Sequence, residues 1–132
     1  FIATGSLIGL PGQTEQDILN DIHLTNAAGA EMFSFGPLIP HQETPLANAA
    51  PPSLDLALTT IAHARIHYPE AKILVTTALE TLDKENGAKL GLLAGANSLM
   101  INLTPMQYKK LYELYPCRSG MKEETAERIT PG

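Results

Sequence analysis

Four short stretches hold the residues best suited to meet a ligand: Gly9-Leu10-Pro11-Gly12-Gln13, Gly36-Pro37-Leu38-Ile39-Pro40-His41, Thr76-Thr77-Ala78 and Met100-Ile101-Asn102. Together they offer backbone donors at a helix start, two adjacent hydroxyls, an amide and apolar walls. They contain no pair of carboxylates and no nucleophile beside a base, so these residues alone do not explain acid–base or nucleophilic chemistry. A set of this kind binds a polar small molecule.

Each candidate also has a plainer role. Gly12 and Thr14 suit a turn and a helix cap, although amides exposed at a helix start also hold anions. Thr76 and Thr77 are β-formers at a strand end. His63 and His67 stand one helical turn apart but lack the acidic partner of a zinc helix, so they read as a solvated face and no metal site is assigned. His41 with Glu43 reads as a polar loop pair. The single cysteine, Cys117, follows Pro116 and reads as non-catalytic; one cysteine excludes both an internal disulfide and a cysteine-only metal site built by this chain alone.

The elements that must position these stretches alternate in type. An apolar run ending near Leu10 gives way to the turn Pro11-Gly12-Gln13. Thr14 then caps a helix with Asp17 three residues on, the capping-box spacing. Ile18, Ile22 and Thr25 share a face of that helix, and Gly29 ends it. Glu31 to Phe35 reads as a buried strand. Residues 36–52 form a loop with five prolines, far longer than the usual strand-to-helix connection of about 2–6 residues, a length that usually accompanies function. After Ser53, another N-cap, a helix runs to Tyr68 with Leu54, Leu58, Ile61 and Arg65 on one face. Lys72 to Thr77 is a third strand. Asp83 opens a third helix reaching Leu93, weakened by Gly87 and Gly91. Ser98 to Asn102 is a fourth strand, and Thr104-Pro105 starts a helix from Met106 to Tyr115.

Four strand-then-helix units imply right-handed crossovers and parallel pairing. Strand starts near Ile2, Glu31, Lys72 and Ser98 have the spacing of a (β/α)8 barrel, so the fold class is α/β and the chain reads as half of a TIM-type barrel. In such a barrel the four stretches named above collect on one face. An open doubly wound sheet is the alternative, but Gly9-Leu10-Pro11-Gly12 lacks the three-glycine dinucleotide fingerprint. A half-barrel leaves exposed edges that must be covered by the missing half or by self-association.

Composition narrows the partners. A net charge of -5 leaves no basic stripe for nucleic acid. No run approaches the roughly 20 apolar residues of a membrane span, and no basic-then-apolar leader is present, so a cytoplasmic protein is expected. The opening at Phe1, inside a strand and without methionine, reads as a piece of a longer protein.

Five blocks taken in order carry a family resemblance: Gly5-Ser6-Leu7-Ile8-Gly9-Leu10-Pro11-Gly12-Gln13-Thr14; Gly36-Pro37-Leu38-Ile39-Pro40-His41 with Thr44-Pro45-Leu46; Thr76-Thr77-Ala78-Leu79; Gly95-Ala96-Asn97 with Met100 to Pro105; and Leu111-Tyr112-Glu113-Leu114-Tyr115-Pro116. Their order and distances across residues 1–118 resemble the radical S-adenosylmethionine (SAM) maturases of iron-only hydrogenase, in the group that also holds biotin synthase and methylornithine synthase. The tail, residues 119–132, reads as the start of a further segment or as disordered.

The resemblance implies a C-terminal half-barrel whose missing N-terminal half carries a three-cysteine loop for a 4Fe-4S cluster. SAM chelated to that cluster yields a 5'-deoxyadenosyl radical that attacks a small-molecule substrate. The adenosine side of SAM would meet Ile8, Gly9, Leu10, Pro37, Leu38 and Ile39; substrate and anion contacts would map to Thr76, Thr77, Met100 and Tyr115. No catalytic residue and no metal ligand is expected in this chain, which would be inactive by itself, and maturation partner proteins are implied. A biotin synthase-like or methylornithine synthase-like enzyme, a non-catalytic half-barrel that dimerises, and a phosphate-ligand barrel anchored on Gly12 to Thr14 stand as alternatives.

Overall fold

A computed structural model describes residues 1–112. The order of elements is β1 (Ala3–Ile8), α1 (Glu15–Ala27), β2 (Met32–Pro37), α2 (Leu54–His67), β3 (Lys72–Val75), α3 (Thr77–Leu82), α4 (Gly87–Leu93), β4 (Ser98–Leu99) and a 3-10 helix (Met106–Tyr112). The four strands form one parallel sheet in the order β1-β2-β3-β4. The α/β class and the parallel arrangement expected from the alternation are therefore present.

Local chemistry explains the best-read elements. Thr14 Oγ1 accepts from the Asp17 amide at 3.2 Å while Asp17 Oδ2 accepts from the Thr14 amide at 2.8 Å, a complete capping box at the start of α1. Ile18, Ile22 and Thr25 are the buried residues of that helix, as their spacing requires. Ser53 caps α2 through the Leu56 amide.

Several expectations need correction. The buried face of α2 is made by Ala57, Thr60, Ile61 and Ala64, with Leu54, Leu58 and Arg65 only partly covered. The two alanines let the helix sit close against the sheet, so the contact stripe is rotated from the one the larger side chains suggested. The third strand stops at Val75: Thr76 is the N-cap of α3, accepting from the Leu79 amide at 3.2 Å, and Thr77 is its first residue. Asp83 ends α3 instead of opening a helix; its Oδ1 accepts from the Glu85 and Asn86 amides, a local turn that delays the next helix until Gly87. The fourth strand is also shorter than expected, ending at Leu99, and the segment from Met106 is a 3-10 helix over its described part.

The core lies between the sheet and the helices. Ile8, Phe33, Phe35, Ile73 and Val75 meet Ile18, Ile22, Ala57, Ile61, Ala64 and Leu79 in one apolar cluster. Phe33 and Phe35 are packed edge to face, with ring centroids 6.1 Å apart. Helices therefore cover one side of the sheet, and the register tells which residues face the other.

Candidate functional site

Pairing puts Leu7 beside Gly36, Gly5 beside Ser34, and Ala3 beside Met32, which is in turn beside Lys72; Ser34 is next to Leu74, and Leu74 next to Ser98. Since side chains alternate along a strand, these residues form the face away from the helices. The intervening positions, Ile8 with Pro37 and Phe33 with Ile73, belong to the buried helix-side layer. The uncovered face is thus lined at its middle and upper levels by Gly5, Ser34, Leu74, Ser98, Gly36 and Leu7, with two leucines among small residues.

A notch sits above Gly36. A β-carbon there would find nothing nearer than 3.9 Å, and its nearest neighbours would be the Thr76 side chain and Leu7 Cδ2. Thr76 thus stands on the uncovered face, one strand over from Gly36. Its hydroxyl oxygen is engaged as a cap acceptor, and a hydroxyl so engaged still has a proton to donate. On the other side Leu7 is 49% exposed.

The strand ends that the sequence singled out lie along one edge of the sheet. Ile8 to Leu10 adjoins Pro37 to Ile39, the two stretches being linked by the Leu38 amide donating to the Ile8 carbonyl at 2.8 Å. Within the first stretch the Ile8 side chain is fully buried among the helices, Gly9 turns the chain at φ +86°, and Leu10 is exposed. Pro37 and Leu38 are buried and Ile39 is half-buried. Ile8 and Pro37 therefore present backbone, not side chain, to the uncovered face. Thr77 is buried, while Met100, one residue beyond β4, is exposed. Tyr115 and Cys117 lie outside the described residues.

Two contributors were not singled out from sequence. Leu7 escapes because Ile8 and Leu7 are equally apolar, and only the pairing register tells which faces the helices. Pro52, at the end of the long loop, packs against the turn after β1: a β-carbon on Gly9 would lie 2.4 Å from Pro52 Cβ. No local pattern connects positions so far apart in sequence.

The helix start after β1 is poorly suited to an anion. Its Thr14 and Asp17 amides are consumed by the capping box, and Glu15 and Asp17 place carboxylates in the first turn. The Thr14 amide, and secondarily its hydroxyl, hold the Asp17 carboxyl below its ordinary pKa.

The other candidates are structural. His41 Nδ1 accepts from the Glu43 amide, and the His41 carbonyl accepts from both the amide and the hydroxyl of Thr44, so this part of the loop is a self-contained turn. His63 and His67 stack at 6.1 Å between centroids, and His67 Nδ1 bonds the His63 carbonyl. Among the described residues no group of three or more His, Cys, Asp or Glu is placed to hold a metal ion. No helix among them is long and apolar enough to cross a membrane.

Comparison with known proteins places the chain among relatives of one group. Residues 34–127 match the Biotin and Thiamin Synthesis associated domain. The [FeFe] hydrogenase maturase subunit HydE of Thermotoga maritima is 42% identical over 112 residues, which are 85% of this chain and 32% of that protein. The biotin synthase of Bordetella avium is 36% identical over 100 residues, 74% of this chain and 30% of the enzyme. That of a Synechococcus species is 33% identical over a stretch of the same length, again 74% of this chain and 32% of the enzyme. The chain thus spans about a third of the length of these relatives. The resemblance carried by the five sequence blocks is borne out.

Proposed function

We propose, since the chain belongs to the Biotin and Thiamin Synthesis associated domain family, that it is part of a radical SAM enzyme whose four (β/α) units form the C-terminal half of a (β/α)8 barrel. One functional parallel is the hydrogenase maturase, and the substrate is a small molecule enclosed by the barrel. The observation that carries this reading is the uncovered face of the sheet. The interior of a barrel that exists only to be packed is filled with layers of bulky branched side chains. Here Gly36 and Ser34 follow one another along β2 on the uncovered face, with Leu74 between Ser34 and Ser98, and the glycine leaves room beside Leu7 and Thr76.

The residues present suit SAM but not the cluster. The apolar notch at Gly36, with a hydroxyl on one wall, accepts a ligand that is part apolar and part hydrogen-bonding. No cysteine lies among the described residues, so the ligands of a 4Fe-4S cluster belong to other parts of the polypeptide. SAM and the cluster together supply the radical chemistry. This chain supplies walls: the backbone at Ile8, Gly9 and Leu10 and the Pro37 to Ile39 stretch border the adenosine side, while Thr76, Met100 and Tyr115 border the substrate, with Thr77 behind Thr76. Its work is to orient the reacting groups and keep water out, because a carbon radical attacks whatever lies closest.

The test is anaerobic reconstitution of the complete polypeptide, followed by SAM binding and reductive formation of 5'-deoxyadenosine. Gly36→Leu should fill the notch, weaken SAM or substrate binding at least tenfold and leave the cluster absorption unchanged. A complete polypeptide that binds no SAM, or a Gly36→Leu variant with parental affinities, would overturn the proposal.

A further inference from the structure

Gln13 lies between the turn after β1 and the capping box of α1, and its side chain folds back over that turn. Its Oε1 accepts from the Gly9 amide at 2.7 Å and from the Leu10 amide at 3.3 Å. Its Nε2 donates to the Leu7 carbonyl at 3.0 Å, and its own backbone amide donates to the Leu10 carbonyl at 2.9 Å. Backbone polar groups at such a turn need partners. For the amides of Gly9 and Leu10 the partner is this one amide side chain.

We propose that Gln13 is a positioning residue: by accepting and donating at once, its amide fixes the backbone from Leu7 to Leu10 and thereby the wall that Leu7 and Leu10 present to the ligand. The inference rests on the reading of that wall as part of the SAM site. Two further consequences follow from the geometry. The Gly9 and Leu10 amides, already bonded, do not serve as donors to a bound ligand. Gly9, at φ +86° and against the Pro52 ring, is held in one conformation from both sides.

A carboxylate cannot replace this amide. Gln13→Glu keeps the acceptor for Gly9 and Leu10 but loses the donor and turns a negative oxygen toward the Leu7 carbonyl. Protonating that glutamic acid restores one donor beside one acceptor. Gln13→Ala loses both and has nothing to protonate. Glu15 and Asp17, the carboxylates of the adjoining helical turn, are common to parent and variants, so the parental pH profile accounts for them.

The experiment uses the complete polypeptide, with amide hydrogen exchange read by NMR at Gly9 and Leu10 and SAM as the ligand probe. At pH 7 both variants should exchange these two amides about tenfold faster and bind SAM about tenfold more weakly, with unchanged turnover at saturating SAM. Lowering the pH through the carboxyl range to about 4 should recover part of the affinity of Gln13→Glu and none of that of Gln13→Ala. Parental exchange at Gly9 and Leu10 in both variants, or identical pH profiles for the two, would overturn the role. Failure of the unaltered protein to bind SAM would defeat the enzyme reading instead, and the exchange rates would still decide whether Gln13 holds the turn.

Discussion

Gly9→Ala offers the sharpest test of how the long loop is seated. The residue sits at φ +86°, a left-handed conformation that costs an L-residue about 1–2 kcal/mol. The new methyl would also lie 2.4 Å from Pro52 Cβ and 2.7 Å from Pro52 Cγ, an overlap that must be relieved by moving the loop, at a further cost of about 1–3 kcal/mol. The single substitution should therefore destabilise by about 2–5 kcal/mol. Pro52→Gly removes every ring atom involved in the collision but leaves the backbone conformation of Gly9 alone. In that background Gly9→Ala should cost only about 1–2 kcal/mol, so the cycle reads about 1–3 kcal/mol of coupling across residues 43 positions apart in the chain. Urea denaturation of the four proteins measures it, with equal slopes as the condition for comparing midpoints. The effect of Pro52→Gly on unfolded-chain entropy cancels in the cycle. Equal costs in the two backgrounds would show that the loop does not rest on the turn after β1, and the structural link between loop and ligand wall would be lost.

Two other outcomes follow from caps. Thr76→Val should cost about 1 kcal/mol by leaving the Leu79 amide without its acceptor, whereas Thr76→Ser should be nearly neutral; thermal melts of the two variants that coincide would refute the cap. The Asp17 carboxyl is held below its ordinary pKa chiefly by the Thr14 amide, so its stabilising contribution is complete above about pH 4 and is lost as the pH falls through the lower folded-state value. Asp17→Asn should flatten that acid limb in a plot of melting temperature against pH, and parallel limbs in parent and variant would contradict the assignment.

What sequence revealed and what it hid divide along the range of the interactions. Thr14 with Asp17, and Ser53 with Leu56, act within one turn, and both helix starts were legible. Strand positions were legible to within a few residues because apolar runs bounded by Gly and Pro mark them. The α3 helix was hidden by the β-branched pair Thr76-Thr77, whose strand preference lost to the hydroxyl's bond with the Leu79 amide. Asp83 carried a plausible N-cap signal, but its carboxylate served a turn instead. The candidate site residues were named as stretches of chain. Their orientations were not, since telling Leu7 from Ile8 requires the β1–β2 register.

The two ends of the sheet are fastened differently, and the difference bears on which end is built for a ligand. At the N-terminal ends of β3 and β4 the fastening is heavy. The Arg65 guanidinium donates to the carbonyls of Gly95, Pro69 and Ala71, and Asn97 accepts from the Ile73 amide while donating to the Ala71 carbonyl. Charge-assisted bonds that join a helix end to two loops make that end a stability device. At the opposite ends the backbone is held by single neutral side chains, Gln13 for β1 and Thr76 for β3. Thr76 borders the notch at Gly36 and Gln13 holds the backbone of Leu7, which also borders it; each holds its turn with bonds that a substitution weakens without emptying the core. If the sheet is half of a parallel barrel, as proposed, the loops after its strands carry function and the opposite face carries stability, and the two kinds of fastening match that division. It follows that Arg65→Lys, which replaces a three-carbonyl fork with a single ammonium, should lower the melting temperature while leaving SAM affinity at its parental value, and that Gln13→Glu should do the reverse.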